Sequence, residues 1–113
     1  MIQAGASTHD ALRSVIISQQ LLGTTEVLVI KHTGCGMLTF QNSDAAAIVE
    51  KNLGPEAGKE LKERNLDFLP FPQLEKAVED DVELLKKSKL VADDVVISGW
   101  VYEVETGKTR RVV

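Results

Sequence analysis

The 113 residues suffice for one modest domain, residues 1–113, and a chain of this length buries roughly two-thirds of its unfolded surface on folding. Hydrophobic residues make up 43% of the chain and aromatics only 4%, so the core is expected to be aliphatic. A net charge of −4 with no phosphate-tracking Lys/Arg run argues against nucleic acid as a partner, and no apolar stretch approaches the ~20 residues of a membrane span.

In chain order, Ser7 or Thr8 can cap a helix that carries Asp10 in its first turn and runs through Leu12, Val15 and Ile16 to Leu21-Leu22, where Gly23 supplies a left-handed stop. Glu26 to Lys31 reads as the first strand. Its Val27-Leu28-Val29-Ile30 run is apolar without alternation, which predicts burial on both faces and hence a parallel sheet. A second helix is expected from Asp44, capped by Ser43, to about Leu53, with Gly54-Pro55 as punctuation and a short polar helix through Glu60 to Arg64. Phe68-Leu69-Pro70-Phe71-Pro72 should be extended, since a residue before proline is pushed out of the α region.

A long amphipathic helix is predicted from Gln73 to about Ser88, burying Leu74, Ala77, Val78, Val82, Leu84 and Leu85. Its acidic Glu79-Asp80-Asp81 reads most simply as a solvated face, and Lys86, Lys87 and Lys89 suit the negative end of the helix dipole. Val95 to Tyr102 is a strand with Gly99 as a point of close backbone approach. Thr106-Gly107-Lys108 turns the chain, and Thr109 to Val113 returns as an antiparallel edge. This order predicts an α/β fold: a mostly parallel sheet flanked by helices, closed by an antiparallel carboxyl-terminal hairpin. Few strands remain to flank Val27–Ile30, so that strand is expected to show an open side and to favour association with another chain.

Chemistry concentrates at His32-Thr33-Gly34-Cys35-Gly36, directly after the apolar strand. An imidazole and a thiol three residues apart, at the carboxyl end of a parallel strand, are placed where an α/β protein can hold zinc. They are also only two donors, and the chain has a single cysteine. That count excludes an internal disulfide and fits a reducing, cytoplasmic setting, with an organelle left open. The start of the chain lacks a basic region followed by an apolar one. A plain alternative makes Cys35 a buried structural thiol and His32 a loop histidine bonded to a carbonyl. In another, His32 activates Cys35 as a reactive thiol without a resolving partner. Trp100, Tyr102, Met37 and Phe40 read as packing residues.

Asp10-Ala11-Leu12-Arg13-Ser14, Gln19-Gln20-Leu21-Leu22-Gly23-Thr24 and Val29 to Phe40 with its His32-Thr33-Gly34-Cys35-Gly36 core resemble the β-class carbonic anhydrases in collinear order. So do Asp67 to Pro72 and Ser98-Gly99-Trp100-Val101-Tyr102 with Thr106-Gly107-Lys108. The resemblance implies a dimeric or higher α/β assembly, a lyase that interconverts carbon dioxide and bicarbonate. One zinc ion per site is held there by two cysteines and a histidine, with a fourth position open to water. That water, its pKa lowered from ~15.7 to about 7, supplies hydroxide near neutrality.

His32 and Cys35 carry over as the histidine and the second cysteine. The first cysteine lies, in the family, on an earlier strand within a Cys-x-Asp-x-Arg motif that has no counterpart in this sequence. The expectation is therefore an amino-terminally shortened relative, missing an amino-terminal strand and holding an incomplete zinc site in a single chain. No catalytic residue is assigned. Ile2 to Ala6 resembles the family's Arg-Asn-Ala-Gly-Gly, and alanine at a positive φ at position 6 would cost about 1 kcal/mol. His9 is expected to be an exposed helix-start residue, and Asp10 a helix-start carboxylate. Two copies could pool two His32–Cys35 pairs into a closed, catalytically silent Cys₂His₂ zinc site. The opposing function is a non-catalytic module, zinc-binding or metal-free, that dimerises through its open sheet edge.

Overall fold

The computed structural model describes residues 7–113, so the expectation for Ile2 to Ala6 lies outside the described residues. In chain order the elements are α1 (Thr8–Leu22), β1 (Glu26–His32), α2 (Asn42–Leu53), α3 (Pro55–Arg64), α4 (Leu74–Lys87), β2 (Val96–Glu103) and β3 (Lys108–Arg111), with a short 3₁₀ turn at Gly36–Leu38. They fall into two compact units: one of residues 7–34 and 73–113, the other Cys35–Pro72.

In the first unit, Ser7 Oγ accepts the Asp10 N–H, which starts α1, and Gly23 ends it at φ 72°. The open face of that helix carries Ile17 and Leu21, while Val15, Ser18 and Gln19 are buried. A buried glutamine must find partners. Gln19 Nε2 donates to Leu90 O and its Oε1 accepts from Ala92 N, both at 2.8 Å, so one amide ties α1 to the loop after α4. Gln19→Leu should therefore cost about 1–3 kcal/mol, because it leaves both backbone groups without that partner. A drop in the urea midpoint at unchanged slope would register it; an unmoved midpoint would refute the role.

The sheet order is β1-β2-β3. β1 runs parallel to β2 from Glu26↔Val96 to His32↔Tyr102, and β3 returns antiparallel from Trp100↔Arg111 to Glu103↔Lys108. The mixed α/β sheet expected from the sequence is present, and among the described residues β1 lies at its edge.

The helix-facing side holds the core of Val15, Val29, Val82, Leu85, Val91 and Ile97. Of the six residues expected on the buried side of α4, Ala77, Val78, Val82 and Leu85 are buried, with Leu74 and Leu84 partly so. Gly99 is indeed a close approach: a Cβ there would overlap Val78 Cγ1 and lie 2.9 Å from both Val82 Cγ2 and Val113 Cγ1.

Burial on both faces of β1 is not observed. Leu28 and Ile30 are 48% and 54% exposed, because within the first unit no described element covers the face opposite α4. The acidic run also divides: Glu79 and Asp80 face solvent, whereas Asp81 Oδ2 turns inward to 3.0 Å from Lys31 Nζ. That pair ties the end of β1 to α4, and an inward carboxylate on a helix is stable only because a cation meets it. At the other edge, Arg110 bonds both Glu75 and Glu103, and its guanidinium holds the Glu75 carboxyl below the usual range.

In the second unit α2 begins at Asn42, not at Asp44 after a Ser43 cap. Asp44 Oδ2 accepts the Gln41 N–H at 2.9 Å, which moves the first turn forward and makes Gln41 the cap. The polar helix is ten residues long, since Pro55 at its first position presets the helical φ. Leu69 does not extend ahead of Pro70; it takes φ 57°. Asp67 Oδ1 accepts from both Leu69 N and Asn42 Nδ2, while Phe68 N donates to Asn42 Oδ1, and this knot holds the unusual turn.

Candidate metal centre

β1 delivers His32 at its carboxyl end, opposite Tyr102 of β2. The ladder continues one step, with Thr33 N donating to Tyr102 O at 3.0 Å. The Thr33 side chain then grips the β2–β3 turn: Oγ1 donates to Glu105 Oε2 and accepts from Val104 N, each at 3.0 Å. His32 Nδ1 lies 2.8 Å from Thr33 O. A carbonyl can only accept, so Nδ1 carries a proton, and in the neutral form of the ring the lone pair lies on Nε2. Metal-bound histidines are typically held in this way through their other ring nitrogen.

Gly34 follows at φ 65°, a value that suits glycine, and turns the chain toward Cys35. Cys35 is extended at φ −69°, ψ 134°, and opens the 3₁₀ turn; Leu38 N donates to its carbonyl at 3.1 Å. Its thiol is free and partly exposed, so the buried structural cysteine of the plain alternative is not what the fold builds. The carbonyl-bonded histidine is, and it suits a metal ligand equally well. Phe71 N donates to Met37 O at 3.1 Å, which ties the proline segment to the turn that carries Cys35.

The other expected residues stay apart from chemistry. His9 is 73% exposed at the start of α1, 3.9 Å from Asp10, as expected of a helix-start pair. Trp100 Nε1 donates to Ser98 Oγ at 2.9 Å, and Arg111 lies 6.0 Å from the ring centroid, a packing role. Among the described residues, no three His, Cys, Asp or Glu side chains converge to hold a metal ion. His32 and Cys35 thus match zinc in kind, a neutral imidazole and a thiol, and fall short of it in number. The sequence signalled both donors; it carried no sign of Thr33 and Glu105 as partners, which lie 72 residues apart.

The arrangement is that of an α/β protein, a helix-flanked mixed sheet with a His-x-x-Cys motif that begins at the carboxyl end of its first strand. No protein-family model matches the chain. It is 32% identical over 107 residues to β-carbonic anhydrase 1 of Mycobacterium tuberculosis, covering 93% of this chain and 60% of that protein. It is also 32% identical over 117 residues to a carbon disulfide hydrolase of Acidithiobacillus thiooxidans, covering 94% and 59%. Among solved structures, the carbonic anhydrase from Glaciozyma antarctica superposes with TM-score 0.89 at 44% identity, covering 97% of this chain and 64% of that one. The Streptococcus mutans enzyme gives 0.81 at 42% identity, covering 92% and 59%. In sequence and fold the chain resembles the β-carbonic anhydrases and the carbon disulfide hydrolases. It spans about 60% of the length of the curated relatives it matches.

Proposed function

We propose that this chain carries the histidine and second-cysteine half of a β-carbonic-anhydrase zinc site, and that its reaction is the interconversion of carbon dioxide and bicarbonate. One observation carries the reading: His32 is fixed with Nε2 open at the end of β1, three residues before a free, partly exposed thiol. Carbon dioxide is favoured over carbon disulfide by the structural likeness. The carbonic anhydrase of Glaciozyma antarctica superposes at 0.89, against 0.72 at 29% identity for a carbon disulfide hydrolase. A second copy would pool two such pairs at one zinc ion per two chains, a closed set distinct from the open site that the reaction needs; the setting is the cytoplasm. Such a Cys₂His₂ set fills every position, so hydration requires a site with a corner left open.

Metal analysis of purified protein tests this directly. Cys35→Ser should weaken zinc uptake by more than the ~10–100-fold typical of losing an outer-shell partner. Stopped-flow hydration with and without added zinc reads activity, and sulfide release reads carbon disulfide turnover. Wild-type protein that takes up no zinc would end the metal reading.

A second reading is supported by the open face of the sheet. Leu28 and Ile30 of β1 pair with Ser98 and Trp100 of β2, and Val96 and Tyr102, 56% and 38% exposed, lie one step further along the same face; together they form a largely apolar surface suited to a second copy. In this reading the chain is a dimerising module without catalysis of its own. Hydration at the buffer rate by an associated protein would select it.

A further inference from the structure

We propose that Thr33 and Glu105 are positioning residues for His32: together they lock the Thr33 carbonyl so that His32 Nδ1 must donate to it and Nε2 is presented as an electron-pair donor. The importance for metal rests on the proposed ligand role of His32; the tautomer does not.

The argument begins with what would otherwise be loose. His32 is exposed, so no packing fixes its ring. The acceptor for Nδ1 is the carbonyl of the next residue, and the peptide that follows leads into Gly34, at φ 65° with open space about it. A peptide plane beside such a glycine turns easily unless something on the Thr33 side holds it. Three bonds do so. Thr33 N donates to Tyr102 O, Thr33 Oγ1 accepts from Val104 N, and Oγ1 donates to the Glu105 carboxylate, each at 3.0 Å.

The hydroxyl is the only group there able to accept from one partner and donate to another at once. Its bond to an ionised carboxylate is of the stronger, charge-assisted kind. The β2–β3 turn is itself stiffened, with Gly107 N donating to Glu103 O at 2.8 Å, so Glu105 is offered from a fixed base. A histidine side chain free in water favours the proton on Nε2, the arrangement that would turn the Nδ1 lone pair toward a carbonyl. The clamp therefore holds the less favoured tautomer.

The test is the ring-nitrogen NMR signature of histidine-labelled full chain, recorded metal-free at a pH where the ring is neutral, with exposed His9 as internal reference. Wild type should show His32 protonated on Nδ1. Thr33→Val, which keeps shape and loses the hydroxyl, should shift His32 toward the Nε2–H form while His9 and the amide spectrum elsewhere stay unchanged; Thr33→Ser should restore it. Glu105→Ala, at an exposed position, should shift it in the same direction and serves if the valine variant fails to fold. Zinc affinity should fall ~10–100-fold in Thr33→Val and recover in Thr33→Ser.

A wild-type His32 protonated on Nε2, or a tautomer indifferent to loss of both Thr33 hydroxyl and Glu105 carboxylate, would overturn the proposal. A tautomer that responds in a protein that binds no zinc would uphold the clamp and remove the metal reading instead.

Discussion

Gly99→Val will destabilise the first unit by about 3 kcal/mol, and Gly99→Ala by about 1–3 kcal/mol, as overpacking of a filled core does. The cause is local and geometric. α4 crosses β2 with Val78 and Val82, one helical turn apart, straddling the Gly99 backbone, and Val113 closes the third side. A Cβ at position 99 overlaps Val78 Cγ1 and stands 2.9 Å from the other two valines.

Val78 and Val82 are 0% and 1% exposed, so neither has room to retreat, and their β-branched side chains have few rotamers to choose from. The helix would have to lift from the sheet and loosen the Val29–Ile97–Leu85 contacts that hold β1. Gly36→Ala is the matched control: a Cβ there meets nothing within 4 Å, and its stability should stay within ~0.5 kcal/mol of wild type. Urea unfolding read at constant slope compares the variants. A Gly99→Ala protein as stable as Gly36→Ala would mean that α4 does not approach β2 this closely.

Gly99 was legible in the sequence because a glycine weakens the interior of a β-branched strand unless another element packs against its bare backbone. The ends of α1 were legible for the same kind of reason, since Ser7 and Gly23 each satisfy a specific orphaned backbone group. Where the outcome depended on distant partners, sequence reasoning failed. Asp81 looked like its exposed neighbours because nothing local announces Lys31, fifty residues earlier, as its counterion. Nothing local marks Gln19 as a buried amide either, since its partners Leu90 and Ala92 lie more than seventy residues away.

The start of α2 moved because the Asp44 carboxylate reached back, a competition between caps that propensity alone does not rank. Pro55, by contrast, is a readable helix start, and the polar helix runs from it rather than from the charged stretch nearer Glu60. At the site, His32 and Cys35 were visible as a motif, while the grip of Thr33 on Glu105 exists only once the β2–β3 turn is folded. Leu28 and Ile30 are the most informative miss. An unbroken apolar run predicts burial on both faces, whereas in the first unit only the α4 side of β1 is covered.

That second face supplies the other large effect. Leu28→Lys with Ile30→Lys should turn an associating protein into a monomer at micromolar concentration without unfolding it. Both side chains point away from the α4 side, where Val27 and Val29 contribute to the core, so charge there leaves the packed layer intact. Full burial of a Leu or Ile is worth about 1.5–3 kcal/mol, and each retains roughly half of its surface to bury.

A twofold contact uses the same patch on both copies, so every side chain counts twice. Losing four half-buried chains of this size weakens association by about 3–6 kcal/mol, a dissociation constant raised ~100-fold or more. The introduced lysines also repel one another across the contact, which adds to the loss at low salt. Sedimentation at several concentrations, alongside circular dichroism of both proteins, separates dissociation from unfolding. If wild type sediments as a monomer at micromolar concentration, the exposed β1 face does not recruit a second copy, and neither a shared zinc site nor a dimerising module survives.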